Sequence, residues 1–390
     1  MANHGCSERL ADIVLSGCLE NHRNSMATRL HTLNVTLPPA GEDRSYPIVI
    51  GQGLLADHAF FEALLGDRPA VVVSNSTIAP LYMARVRDAL GKARQVTEVI
   101  LPDGEQHKTL TTLDQIFTAA LNDRHERRSV FIALGGGVVG DITGFAAACF
   151  MRGADFVQLP TTLLAQVDSS VGGKTGVNHP AGKNMLGAFY QPLAVAIDID
   201  TLHSLPAREF AAGIAEVIKY GCIYDVELFD WLVDVQPRLL ARETAVLAEA
   251  IERCCTIKAQ VVAEDEREGG VRAILNFGHT FGHAIEHVQG YGTWLHGEAV
   301  AAGMMLAARV SAKRGWINDA MVGKLATFLE AFKLPIKPPA DMTATVFLAA
   351  MQTDKKVAQG RIRFVLLEHA GRAGLYDDVT QAEIEAVLSG

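Results

Sequence analysis

The chain predicts an α/β N-terminal nucleotide-binding domain followed by a mainly α-helical C-terminal domain, and three observations lead there. Up to Leu205, short β-branched runs alternate with segments of helical periodicity, the signature of a parallel sheet wound with helices. One run, Val130-Phe131-Ile132-Ala133-Leu134, passes straight into Gly135-Gly136-Gly137, as a strand does before a phosphate-facing turn. After Pro206 the strand signals fade and long helical patterns take over. At 390 residues the chain is too long for one ordinary core. Two domains are therefore expected, 26–205 and 206–390, divided at the Leu205-Pro206 turn.

Residues 1–25 stand apart. Their apolar patch Ile13-Val14-Leu15 is flanked by Asp12 and Glu20 and lacks a signal-peptide layout. Met26 offers an alternative start, and the segment before it is expected to be a disordered extension. Leu33, Val35 and Leu37 then alternate as a half-buried strand, and Arg44 to Ile50 reads as a second, closed by Gly51 and Gly53. Ala70 to Ser74 is a strand leading into Asn75-Ser76 and a helix from Pro80 to Leu90. Val96 to Leu101 is another strand, ending in Pro102-Asp103-Gly104-Glu105, and Thr112 to Asn122 is helical. A small-residue helix is expected from Ile142 to Cys149. Beyond Pro206, helices are expected at Arg208–Tyr220, Val226–Leu239, Glu243–Glu266, Leu275–His287, Ala299–Arg314 and Val322–Ala331. Gly360 to Leu367 reads as a strand returning to the surface of the helical domain.

Composition removes several classes of function. A net charge of −9 argues against a nucleic-acid partner. No apolar run approaches the roughly 20 residues that span a bilayer, so no membrane partner is expected. The six cysteines show neither metal-ligand pairing nor a disulfide framework, which fits a reduced, cytoplasmic chain.

Four stretches concentrate the chemistry. In the first, Gly135-Gly136-Gly137-Val138-Val139-Gly140-Asp141, glycines would let a pyrophosphate approach a helix N-terminus. Its spacing departs from G-x-G-x-x-G, and a tight turn against the sheet is the plainer alternative. Asn75 and Asp103-Gly104-Glu105 join it as polar groups at carboxyl ends of strands, where ligands of open α/β sheets lie. In the second, Leu159 to Gly176 is dense in hydroxyls, with Asp168 ahead of Gly172-Gly173-Lys174 and Lys183-Asn184 shortly after. Glycines beside lysines suit phosphate without forming a P-loop. In the third, Glu216 and Lys219 share a helix face. A surface ion pair is the ordinary reading, but Ile214, Ala215, Val217 and Ile218 around them favour partial burial.

The fourth, Leu275 to Glu298, holds His279, His283, His287 and His296. The first two lie one turn apart on a helix face, and His296 returns after the Gly290-Tyr291-Gly292 loop. Such a set can close around a divalent cation, with Asn276 and Glu298 beside it. Any one of the four alone reads as an ordinary helix histidine.

GGGVVGD, RGADFVQLPTTLLAQVDSSVGGKTGVNHPAGKN, AEVIKYG, LNFGHTFGHAIE and LHGEAVAAGM occur in this order. In sequence and spacing they resemble the sugar-phosphate cyclases, most closely the 3-dehydroquinate synthase family. The resemblance runs from Leu33 to the C-terminus. It implies one Zn²⁺, or Co²⁺, held by Glu216, His279 and His296. It implies NAD⁺ over Gly135, Gly136, Gly137 and Asp141, with Asn75, Asp103, Gly104, Glu105, Lys108, Thr161, Thr162 and Lys183 as further contacts. The implied substrate is 3-deoxy-D-arabino-heptulosonate 7-phosphate. Its phosphate would meet Lys174, Asn184, Asn276, His283 and one of Lys355 and Lys356, with Arg152 reaching in from the second subunit of a homodimer. Its carboxylate would meet Lys258 and Arg272, and its hydroxyls Asp168 and Lys219. His283 is the candidate proton carrier, unless phosphate itself takes the proton, and His287 is assigned to the helix alone.

The reaction so implied belongs to the shikimate pathway of aromatic amino-acid biosynthesis. Transient oxidation by NAD⁺ acidifies a neighbouring C–H, phosphate is eliminated, hydride returns, and the opened ring closes by an intramolecular aldol step. The site is expected in the cleft between the two domains. Rival readings are an inosose- or valiolone-type cyclase, a metal- and NAD-dependent alcohol dehydrogenase, and a non-catalytic binding chain. Lys258 and Arg272 together favour an acidic substrate over the first. Lys174, Asn184, Asn276 and His283 count against the second, which has no phosphate to expel. The third would be expected to lack some catalytic position, and none is missing.

Overall fold

Among the described residues nine strands precede Leu205: Thr28–Val35 (β1), Tyr46–Gln52 (β2), Ala70–Asn75 (β3), Val96–Leu101 (β4), Val130–Gly135 (β5), Phe156–Pro160 (β6), Lys174–His179 (β7), Gly182–Phe189 (β8) and Ala194–Asp198 (β9). Seven of them form one sheet in the order β1-β2-β9-β6-β5-β3-β4, while β7 and β8 make a separate antiparallel hairpin. Only the β1–β2 pairing in the large sheet is antiparallel. The structure is a computed structural model that describes residues 27–36, 44–290, 292–352 and 362–389. Residues 1–25, Leu37, Tyr291, Lys355, Lys356, Gly360 and Arg361, which figure in the sequence reading, lie outside the described residues. The chain divides into two units, one reaching Leu205 and taking in Lys258–Ala263, the other comprising Pro206–Ile257 and the chain from Glu264.

Helices cover both faces of the first unit's sheet. The helices His58–Leu65 (α1) and Ala79–Leu90 (α2) pack with Ala70, Val72, Ile132 and Leu134. Leu110–Asn122 (α3) and Gly137–Cys149 (α4) pack with Val71, Val73, Phe131 and Ala133 on the other. Burial on both faces is why β3 and β5 read as unbroken apolar runs. From β3 the chain moves outward to β4, then crosses back to β5 on the other side of β3. That reversal opens a crevice at the carboxyl ends of β3 and β5, the place where doubly wound sheets take ligands.

The second unit is built on Ala207–Ile223 (α5), whose residues from Phe210 to Ile223 are all buried. A helix buried on all its faces is central to its unit. Around it in the chain come Val226–Asp234 (α6), Gln236–Leu240 (α7), Thr244–Glu264 (α8), His279–Gln289 (α9), His296–Lys313 (α10), Asp319–Ala331 (α11), Ala344–Gln352 (α12) and Gln381–Leu388 (α13). A hairpin of Phe364–His369 (β10) and Arg372–Tyr376 (β11) completes it. No described helix is long and apolar enough to cross a membrane. The four described cysteines are free thiols.

Several expected boundaries move. The helix expected from Ile142 starts at Gly137, with Gly136 as its N-cap, because Val139 already packs against the strand it leaves. The expected helix Val226–Leu239 is two, broken before Gln236, since Pro237 cannot donate within a continuing helix. Leu275 and Asn276 belong to a 3₁₀ segment, Val271–Asn276, and Gly278 is left-handed, so α9 begins at His279. The late strand is core rather than surface: Phe364 to Leu367 are buried. Strands β6 to β9 and β11 carry no clear strand pattern in the sequence; Gln158 and Pro160 interrupt the apolar run of β6.

At the opposite end of the sheet from the crevice, His125 is buried in a polar chain. Its Nε2 lies 2.8 Å from Thr97 Oγ1, which donates to Asp123 at 2.6 Å, and its Nδ1 lies 3.0 Å from Ser129 Oγ. With the Thr97 hydroxyl donating to Asp123, its oxygen is left to accept from His125 Nε2–H. Burial pushes the imidazole below its ordinary value, against the opposite pull of Asp123. A histidine whose folded pKa is depressed stabilises the fold fully above its unfolded value of about 6.5, and that stability is lost as pH falls. Thermal unfolding of the wild type should therefore drop more steeply below about pH 6.5 than that of His125→Gln; equal slopes would remove His125 as the cause.

Candidate functional site

The residues singled out in the sequence fall into two groups, one in each unit. In the second unit three helices each contribute one side chain. Glu216, midway along α5, is fully buried. His279 is the first residue of α9 and His296 the first of α10. Glu216 Oε1 stands 3.6 Å from His279 Nε2 and 3.7 Å from His296 Nε2, and it accepts no hydrogen bond. Bond lengths of about 2.0–2.2 Å around a tetrahedral zinc put neighbouring ligand atoms about 3.3 Å apart. The two Glu216 distances are close to that spacing, and the three residues' ligand atoms, all within 4.8 Å of one another, could hold one divalent cation.

The ring tautomers agree with this use. His279 Nδ1 lies 3.1 Å from the Phe277 carbonyl, so it donates there and leaves a lone pair on Nε2. His296 Nδ1 lies 3.1 Å from Glu286 Oε2. His283 forms the third side of a histidine cluster, its ring centroid 5.6 Å from that of His279 and 6.0 Å from that of His296. Glu298, which the sequence placed beside the metal, is engaged elsewhere. It receives Arg208 at 2.6 and 2.7 Å and caps α10 through the Leu295 N–H. The acidic member of the cluster is Glu216.

Lys219 pairs with Glu216 Oε2, and both side chains are buried, so this is no surface ion pair. Arg272, nearly fully buried, donates through Nη1 to the Glu266 carbonyl. Asp265 folds the loop before it, accepting the N–H groups of Gly269, Gly270 and Arg272 at 2.8, 2.7 and 3.1 Å. Slight burial opposes them, but those bonds hold the Asp265 carboxyl below its usual range. Asn276 donates to Glu268 at 3.0 Å. Sequence reasoning passed over Asp265, Glu268 and Glu286. An aspartate four and five residues before a glycine pair, and a glutamate two turns after His279, were the available signals.

Close helix packing fixes the trio. A Cβ on Gly297 would lie 2.0 Å from the Ala212 carbonyl oxygen, which binds α10 to α5 backbone against backbone. Gly278, at φ +79°, has no room for one either, with Val300 O and Met304 N both at 2.7 Å.

The first unit gathers the other group at the carboxyl ends of its strands. Asn75 donates to Asp103 at 2.7 Å and accepts the Ile78 N–H at 2.8 Å, while Thr77 donates to the other Asp103 oxygen at 2.6 Å. Gly104, at φ +116°, turns the chain into Glu105, which accepts from Asn178 at 2.7 Å. Lys108 donates to Asp141 at 2.5 Å and to Asn184 at 2.6 Å. Burial alone would lower the Lys108 ammonium, but Asp141 and Glu105 hold it above its ordinary value. Asn184, assigned by resemblance to phosphate, thus sits with Lys108 and Asp141, which were assigned to the nucleotide. Thr161 Oγ1 is buried without a hydrogen bond, and Thr162 caps the following turn through the Ala165 N–H. With Gly136 as N-cap, no side chain occupies the first N–H groups of α4. Free N–H groups, an orphaned hydroxyl and paired acidic residues suit a dinucleotide.

Asp168 lies in a π-helical turn, Ala165–Ser169, and accepts Lys258 Nζ at its carbonyl and Oδ1, at 2.5 and 2.7 Å. Lys174 and Arg152 are exposed and Lys183 is half-buried. Met151 and Arg152 are successive left-handed residues, φ +47° and +68°, a conformation that side chains other than glycine adopt only at a cost.

Family models described as 3-dehydroquinate synthase N-terminal and 3-dehydroquinate synthase C-terminal match residues 98–212 and 213–357. The chain is 54% identical over 359 residues to a 3-dehydroquinate synthase of Teredinibacter turnerae, covering 92% of this chain and 98% of that one. Among solved structures it is similar to a 2-epi-5-epi-valiolone synthase of Streptomyces hygroscopicus subsp. jinggangensis with NAD⁺ and Zn²⁺ bound (TM-score 0.82, 30% identity, 88% of this chain and 96% of that one). It is also similar to a 2-deoxy-scyllo-inosose synthase complexed with carbaglucose-6-phosphate, NAD⁺ and Co²⁺ (TM-score 0.80, 25% identity, 92% and 99%).

Two glycine substitutions should separate packing from propensity. Gly297→Ala should destabilise by at least about 1–3 kcal/mol and weaken metal binding, because its methyl meets fixed backbone. Gly323→Ala, in α11 with open space around it, should stabilise by about 0.5–1 kcal/mol. Calorimetric unfolding of both variants checks the pair; a harmless Gly297→Ala would mean that the α5–α10 contact is looser than drawn.

Proposed function

The chain belongs to the 3-dehydroquinate synthase family, and on that premise we propose that it converts 3-deoxy-D-arabino-heptulosonate 7-phosphate to 3-dehydroquinate and phosphate. The observation that carries the reading is the buried Glu216 oxygen facing two histidine nitrogens whose other nitrogens already have acceptors. When bound, NAD⁺ supplies a reversible hydride acceptor and the divalent metal a Lewis acid for developing oxyanions.

The residues divide the remaining work. Glu216, His279 and His296 hold the metal, and the α4 N-terminus with Asp103, Glu105, Lys108, Asp141 and Thr161 holds the dinucleotide. Arg272 and Lys258 take the substrate carboxylate; the buried guanidinium offers a fixed fork for two oxygens. Lys219 and Asp168 orient ring hydroxyls. Lys174, Asn184, Asn276 and His283, with Lys355 or Lys356, receive the phosphate. His283, one turn from His279 and half-buried, can take or return a proton near the leaving group.

We further propose a homodimer in which Arg152 serves the neighbouring active site. The strained backbone at Met151 and Arg152 supports this, because such strain persists where a side chain must be aimed. Free thiols support a cytoplasmic setting.

A phosphate-release assay decides the substrate. The heptulosonate phosphate should be consumed with NAD⁺ present, chelator should abolish turnover, and Zn²⁺ or Co²⁺ should restore it. Turnover of glucose 6-phosphate or sedoheptulose 7-phosphate instead would assign the chain to another cyclase activity.

His283→Ala should retain its metal while phosphate release slows by about 10²–10⁴-fold. Co-expressed with Arg152→Ala subunits, it should regain activity, since one site of each mixed dimer then has both groups intact. No recovery would place Arg152 in its own subunit's site.

A further inference from the structure

The two histidines of the metal-ligand cluster are held in different ways. His279 is oriented by a backbone carbonyl, that of Phe277, two residues before it. His296 is held by a side chain from another helix. It is the first residue of α10, its side chain is 34% exposed, and the capping contacts around it are made by Leu295 and Glu298. What meets its Nδ1 is a carboxylate from another helix, Glu286 Oε2 at 3.1 Å.

Glu286 has no solvent-facing reason to be where it is. It lies two helical turns beyond His279 on α9, so both project from one face of that helix, and it is buried. A buried carboxylate is costly unless its oxygens find donors. An ionised carboxylate only accepts, so the His296 proton must sit on Nδ1, and the lone pair of Nε2 then points at Glu216 Oε1. From this we infer that Glu286 is a positioning residue. It fixes the tautomer and ring orientation of His296 and raises its basicity as a metal ligand, through a carboxylate–histidine–metal chain. The inference rests on the reading of Glu216, His279 and His296 as metal ligands.

One other use of the same atoms is open to test. The ligand atoms of His283, Glu286 and His296 also lie within 4.8 Å of one another. A cation there would compete with the Glu286–His296 hydrogen bond, whereas a positioning role keeps it.

The test measures Zn²⁺ and Co²⁺ dissociation constants by chelator competition, together with Co²⁺ d–d absorption and unfolding of the metal-free proteins. Wild type, Glu286→Gln, Glu286→Ala and Glu216→Ala are compared. Glu286→Ala should bind about 10–100-fold more weakly, with altered Co²⁺ bands and little change in metal-free unfolding temperature. Glu286→Gln, which keeps an acceptor oxygen, should fall between it and wild type. Unchanged affinity in Glu286→Ala would overturn the proposal. So would a second metal equivalent in wild type that disappears in Glu286→Ala while the first remains as tight. Full binding by Glu216→Ala would instead overturn the ligand assignment itself, whatever Glu286 does.

Discussion

Backbone laid directly against backbone is the constraint on which the second unit depends. The α5–α10 contact at Gly297 and Ala212, and the contact of Gly278 with Val300 and Met304, leave no space for a methyl group between helices. Interhelical distances ordinarily follow the side chains at the crossing; with none there, the helices approach to the limit of their own atoms. Glu216, His279 and His296 are carried on those helices close to their crossings, so their mutual distances are set by rigid elements rather than loops. Sites so supported hold ligand geometry better than sites on flexible segments.

The first unit solves a different problem with the same economy of position. The order in which strands are added reverses at β3 and β5, which stay parallel, so helices on both faces leave a crevice where two strands end. There Asn75 pairs with Asp103, Lys108 with Asp141, and Glu105 with Asn178. Such pairing lowers the entropy to be lost on binding.

Much of this was legible in the sequence, and the rest failed for identifiable reasons. The α/β character could be read because β3 and β5 are buried on both faces and so show continuous apolar runs. β6 and β7 were hidden because their residues carry polar chemistry at strand positions, Gln158 and Lys174 among them. The histidine stretch announced a cation, but nearness in sequence drew in Glu298, which is engaged with Arg208. Glu216, sixty-three residues before His279, stood out locally only as a partner of Lys219; its link to the histidines came through family resemblance, since no local pattern joins residues that tertiary packing brings together. Glu286 had the right spacing from His279, yet its partner lies across a loop, and spacing within one helix cannot show that.

The buried pair of Lys219 with Glu216 has a consequence for the protein's life without its cofactor. A buried carboxylate stripped of both metal and cation would be left as an uncompensated charge, a defect that commonly costs several kcal/mol and the fold with it. Here the lysine remains on Oε2 while Oε1 faces the histidines, so an emptied pocket is still charge-balanced. The fold therefore does not hang on an ion at Glu216, because the lysine alone already offsets the buried carboxylate.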